Sequence, residues 1–389
     1  MEKRSAIPIL DLTESSHLNS LDGFRACLAL WVYFGHLADA SGFQTRLLSL
    51  HPLAVDLFMV LSGFLMVHTW KQDLQQTKFL SQSTLNFYLM RFFRIAPLYY
   101  LLLLICYAFG PSLAMMHDFI LKTLPPPWAQ NIENFDPRTD WSFISFRWIY
   151  FHISFLFGLV PGMENSTPLP DWSLSLEMQF YFVFPLLLVL WRKIPTLLIA
   201  IGLAVLAFWA PKLWGNYLDA GILSHFGQPS FLPYRLNAFF AGMLVALWLR
   251  QRNTAQPIKR LSNILFPLAA CICILPLSKP VILGYLFFVA ISFEKMPLVS
   301  PLLSLKPLRF LGDISYSIYL CHILIVYPIV YVLTQTADFL QRSPIERFSI
   351  SLFLTLPLVI LSSYILYRFV ELPSIRFGKK ISRGPRQSP

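Results

Sequence analysis

Apolar residues in this chain gather into runs of about 18 or more, the length a helix needs to cross a bilayer. Candidate spans fall at 22–40, 53–70, 94–110, 172–191, 194–210, 232–250, 262–277, 280–294, 311–335 and 347–369, of which 262–277 and 280–294 are short. They predict an all-α fold, a polytopic transmembrane helix bundle of about ten spans. An eleventh apolar piece, 146–161, is shorter and holds Arg147, His152 and Gly158. A crossing there would invert every later segment, so the distribution of Lys and Arg is the test. Without a crossing, and with the N-terminus inside, about 21 basic residues face the cytoplasm and about 9 face outwards. With a crossing the split becomes about 11 to 19. Positive charge collects on the cytoplasmic side, so the expectation is ten spans, both termini cytoplasmic, and a re-entrant or surface-lying helix at 146–161 on the outer side.

Composition narrows the classes. Charged residues make up 13% of the chain and hydrophobic ones 56%, against about 25% charged in soluble domains. A soluble enzyme, a disordered chain, a coiled coil and a disulfide scaffold are excluded. The net charge of +11 lies in short clusters between apolar runs, as in membrane loops, so lipids are the expected partner and nucleic acid is not. Cys27, Cys106, Cys271, Cys273 and Cys321 all fall within apolar segments without metal spacing; neither disulfides nor a metal site is expected. Residues 1–20 are read as a polar cytoplasmic segment without the features of a cleavable leader. Residues 21–375 are read as the transmembrane domain. Residues 376–389 are read as a basic cytoplasmic tail, disordered from 381. The one long outer loop, 111–171, contains Pro125-Pro126-Pro127 and a mixed-charge stretch from Glu133 to Asp140.

Ionisable groups inside a membrane are costly, and each needs a reason. Arg25 and His36 share one face of the first span, about 16 Å apart along its axis. Arg25 sits near the cytoplasmic end and His36 in the outer third. Asp56, near the outer end of the second span, is expected at the depth of His36, where it would fix the imidazole tautomer; a plain helix-capping role is the alternative. Ser62 follows on the same span. Arg91 and Arg94, three apart at the mouth of the third span, present neighbouring forks that suit phosphates, or simply anchor the helix. The fourth span places Trp172, Glu177 and Tyr181 on roughly one face, with Glu177 level with His36. In the ninth, Ser315, Tyr319 and His322 recur on one polar face.

These segments together resemble the acyltransferase-3 family of membrane acyltransferases. The matching pieces are Arg25-x10-His36, Val55 to Phe64, Arg91-x-x-Arg94 with Pro97-Leu98-Tyr99, Trp172 to Glu177 with Phe180-Tyr181, Gly312 to His322, and Glu371-Leu372-Pro373. They follow the family's order over about 20–375. Met59 and Cys321 depart from it, standing where Phe and another aromatic are common. Some relatives add a C-terminal hydrolase-like domain, for which this chain is expected to be too short.

The resemblance implies an enzyme of the bacterial cytoplasmic membrane that takes an acyl group, usually acetyl, from cytoplasmic acyl-CoA. It would pass the group to a hydroxyl of a sugar or lipid-linked glycan at the outer face. No permanently bound cofactor is implied. Arg25, Arg91 and Arg94 are expected to hold the donor phosphates, with His36 as general base or, alternatively, as carrier of the acyl group in a covalent relay. Asp56 or Glu177 would orient His36, and Ser62, Tyr181 and His322 would polarise the thioester carbonyl. Trp172 and Tyr319 are further candidates. A transporter or flippase using the same His, Asp and Glu as a proton or substrate path is the rival; it would not need a cytoplasmic polyphosphate site.

Overall fold

The computed structural model describes residues 12–70, 81–125, 146–191, 193–218, 228–252, 259–293 and 295–382. Most of the described residues are helical, and they include no strand. In chain order the helices are α1 Leu12–Ser41, α2 Leu53–Thr69, α3 Gln82–Thr123, α4 Phe146–Ile153, α5 Trp172–Trp191, α6 Thr196–Leu218, α7 Leu236–Arg252 and α8 Lys259–Ile274. They continue as α9 Lys279–Ser292, α10 Val299–Leu303, α11 Lys306–Asp313, α12 Ser315–Thr334, α13 Ala337–Gln341, α14 Pro344–Leu366 and α15 Leu372–Ser382. A π-helical turn, Tyr367–Glu371, joins α14 to α15 without a break.

Four helical stretches are long and apolar enough to cross a membrane: Gln82–Thr123, Trp172–Trp191, Ser315–Thr334 and Pro344–Ser382. Five other expected spans fall on apolar helices of 10–17 residues, and the remaining one on α1. Phe182, Leu198, Leu283 and Phe353 stand exposed on these helices, as lipid-facing side chains do.

Several boundaries differ from expectation. Helix α1 begins at Leu12, ten residues before the expected first span. Helix α3 starts well before Arg91 and runs on to Thr123, taking up the first part of the expected outer loop. Its start is set by Ser81, whose Oγ accepts from Thr84 N at 3.2 Å. The first residues of the expected tail, 376–382, are helical, including Ile381 and Ser382 where disorder was expected. The stretches 126–145 and 383–389 lie outside the described residues.

The segment 146–161 is a single eight-residue helix followed by 3₁₀ turns, about 12 Å long and too short to cross. It docks through a buried polar chain. His152 Nδ1 lies 2.8 Å from Tyr99 Oη, Tyr99 donates to Asp171 at 3.0 Å, and His152 Nε2 lies 2.9 Å from Ser166 Oγ. This ties the loop to α3 and to the start of α5.

The most extensive helix contact is between α2 and α7. A Cβ on Gly63 would run into the Phe239 carbonyl, and one on Gly242 into that of Val60. Small residues that let backbones meet are the usual device of membrane helix pairs. Gly63→Ala is expected to lower stability by about 1–3 kcal/mol. Gly202→Ala, where nothing lies within 4 Å, should not. Thermal unfolding in detergent compares the two.

Candidate active site

Helices α1 and α12 pack side by side, joined by a cluster that includes Ala29, Tyr33, Leu37, Ile318 and Val326. Within this contact His36 Nδ1 lies 2.8 Å from His322 Nε2, the two rings stacked 16° from parallel. The far nitrogen of His322, Nδ1, lies 3.0 Å from the Ile318 carbonyl. A carbonyl only accepts, so His322 Nδ1 carries the proton and, in the neutral ring, Nε2 accepts. His36 must then donate through Nδ1, and its Nε2 keeps a free lone pair. The tautomer of His36 follows from the hydrogen-bond inventory. A third ring, His51, meets His36 edge-on at 4.7 Å and is itself fixed by the Leu48 carbonyl at 2.9 Å. Gly35 makes room for it, since a Cβ there would strike the His51 ring.

Along α2 runs a cavity of about 850 Å³ whose wall reaches from Val55 to Trp70, about 22 Å of helix rise. It gathers Arg25, Arg91 and Arg94, as the sequence suggested. Arg25 pairs with Asp22 at 3.3 Å. Arg94 pairs with Glu371 at 3.5 Å, and Glu371 also accepts from Ser317 at 2.9 Å. The π-helical turn ends at Glu371, a distortion common at functional sites. Arg91 donates to Thr69 Oγ1 at 3.2 Å and lies over the rings of Phe87 and Tyr181 at 5.6 and 5.7 Å. Glu177 is the acidic residue of the wall; it accepts from Ser62 at 2.8 Å and from Tyr181.

The residues expected to serve His36 divide differently from the sequence expectation. Asp56 does not orient it: the Asp56 carboxylate is held by Arg235 Nε at 2.5 Å. Glu177 is committed to Ser62 and Tyr181 inside the cavity, and His322 is the partner of His36. Trp172 packs against the core and does not line the cavity. Tyr319 does, with its hydroxyl 2.9 Å from Ser173 Oγ and its ring 6.1 Å from Phe58. Neither His36 nor His322 lines the cavity. The wall reaches Tyr319, three residues before His322 on α12 and about 4.5 Å short of it along the axis.

Sequence reasoning missed Arg235, Glu371 as the counter-ion of Arg94, and the cavity faces of Trp70 and Lys379. Arg235 left a signal, a charge inside the apolar run 232–250. Glu371 stands in a motif that reads as a helix end.

The structure thus defines an integral membrane protein with a guanidinium-lined internal cavity beside a hydrogen-bonded imidazole pair. Residues 18–368 match the acyltransferase-3 family, described as an acyltransferase domain, and the chain belongs to that family. It is 28% identical over 390 residues to the peptidoglycan O-acetyltransferase OatA of Listeria monocytogenes, covering 93% of this chain and 56% of that protein. It is 26% identical to the O-acetyltransferase OatA of Staphylococcus aureus, covering 94% and 58%. The putative peptidoglycan O-acetyltransferase YrhL of Bacillus subtilis is 24% identical, with 92% and 55% covered. The chain spans a little over half the length of these relatives. No solved structure matches it.

Asp56→Asn is expected to act through Arg235. It should cost about 1–3 kcal/mol of stability, and the loss should not add to that of Arg235→Gln. A double-mutant cycle by thermal unfolding measures this. Full additivity would separate the two residues.

Proposed function

We propose that this protein is a membrane O-acetyltransferase that carries an acetyl group from cytoplasmic acetyl-CoA to a hydroxyl of a cell-wall glycan at the outer face of a bacterial cytoplasmic membrane. The observation that carries the reading is the His36–His322 hydrogen bond, which leaves His36 Nε2 as a lone-pair base one helical turn beyond the end of an arginine-lined cavity. The named relatives support the acetyl group and the glycan acceptor, and the three arginines support a donor bearing phosphates. Ten spans with both termini inside would set the arginines on the cytoplasmic side, where acyl-CoA is found.

In this reading the thioester arm lies along α2 and its carbonyl arrives beside Ser173 and Tyr319, whose hydroxyls suit a developing oxyanion. Phe58 and Tyr319 stand at the end of the cavity and must yield for the carbonyl to reach His36. The acceptor O–H gives its proton to His36 Nε2 as the new C–O bond forms. The C–S bond then breaks, and the leaving thiolate recovers that proton from His36. His322 holds the tautomer and shares the transient positive charge; it does not touch the carbonyl.

Purified protein should release CoA from acetyl-CoA when glycan acceptor is present. His36→Ala should abolish transfer while the protein still inserts and folds; full activity would remove the base. His322→Gln keeps an acceptor near the position of Nε2 and should retain most activity, whereas His322→Leu should lower kcat about a hundredfold with little change in the KM for donor.

Glu177 supports a second reading, because it lines the cavity and His36 does not. If Glu177→Gln abolishes transfer and His36→Ala does not, Glu177 is the base.

A further inference from the structure

The end of the cavity lined by α3, α15 and the end of α2 holds donors in addition to the guanidinium forks of the arginine motif. Trp70 closes α2, lines the cavity and is only 6% exposed. Among the described residues its Nε1–H has no acceptor, and neither has the buried Nε–H of Arg91. Both side chains rest on Phe87: the Trp70 ring at 5.5 Å and the Arg91 guanidinium at 5.6 Å. A buried donor without a partner costs about 1–3 kcal/mol. Two of them on one cavity wall point to a ligand rich in acceptors.

Helix α15 supplies a third donor. Ile375, Lys379 and Ser382 recur on one face and all line the cavity, with Lys379 exposed at its rim. The helix is locked in this rotation by α3. Phe377 meets Phe93 at 5.2 Å, and Gly378 lies so close that a Cβ would come 2.8 Å from the Phe93 Cβ. The cavity therefore has cations at its rim as well as in its wall.

We propose that this end is a phosphate subsite for the nucleotide portion of the donor, in which Trp70 Nε1–H and Arg91 Nε–H serve the diphosphate and Lys379 the ribose phosphate. The inference rests on the acyl-CoA reading above. The order follows from the shape of the donor. Its thioester leads toward Tyr319, so the diphosphate lies behind at Arg91, and the ribose phosphate trails at the rim.

Titration calorimetry of the purified full chain with CoA and 3′-dephospho-CoA tests this. Lys379→Gln should weaken CoA about fivefold to tenfold and leave dephospho-CoA unchanged, so that the preference for the ribose phosphate disappears. Trp70→Phe should weaken both ligands by a similar factor while thermal stability holds or rises, because the variant no longer buries an unpaired N–H. If wild-type protein binds CoA and both variants match it, the subsite is overturned and the donor reading stands. A Trp70→Phe loss that only tracks lost stability makes Trp70 structural and removes it from the subsite. If wild-type protein binds no CoA, the donor reading falls and the subsite with it.

Discussion

A bare guanidinium among apolar helices is expensive, and this bundle is organised around meeting that cost. Arg25 is answered by Asp22, Arg94 by Glu371 and Arg235 by Asp56. Arg91 is answered by two aromatic faces and a hydroxyl. Two of the three carboxylates come from elements distant in sequence, so the pairs also fix which helices meet. Glu371 brings the end of the π-helical turn to α3, and Arg235 brings the start of α7 to α2. Arg25, Arg91 and Arg94 open onto one cavity, and α15, continuous with the Glu371 turn, forms one of its walls. Neutralising the guanidinium groups and building the cavity are the same construction.

The imidazole pair obeys a separate rule. His36 and His322 lie 286 positions apart and meet only because α1 and α12 pack side by side. Their hydrogen bond ends on a backbone carbonyl, and that carbonyl dictates the proton's place on both rings. No carboxylate takes part. An imidazole held by another imidazole gains direction without gaining a fixed negative charge nearby, which suits an apolar setting better than a buried carboxylate would.

Much of the fold was legible because apolar run length is a local signal. Helix α5 has the bounds expected of its run, and α2 differs from its run by one residue. Helix α3 was underestimated because its first turns, Gln82 to Asn86, are polar and carry no apolar run. The fate of 376–382 was hidden for the same reason: basic residues read as tail, and only contact with Phe93 shows them as a wall. The arginine site was legible because Arg91 and Arg94 share one short motif. The partner of His36 was not, because matching depth pointed to Asp56 and Glu177 and left His322 out. Asp56 was already committed to Arg235, at a separation of 179 positions, which no spacing rule reveals.

Helices α14 and α15 with the turn between them form one rod, Pro344 to Ser382. It is about 58 Å long by helix rise. Its hydrogen-bond ladder lacks a donor at Pro357 and at Pro373 and changes register at the π-helical turn, so the rod can bend there. That hinge carries the carboxylate that neutralises Arg94. The same short stretch therefore sets both the placement of α15 on α3 and the charge balance of Arg94.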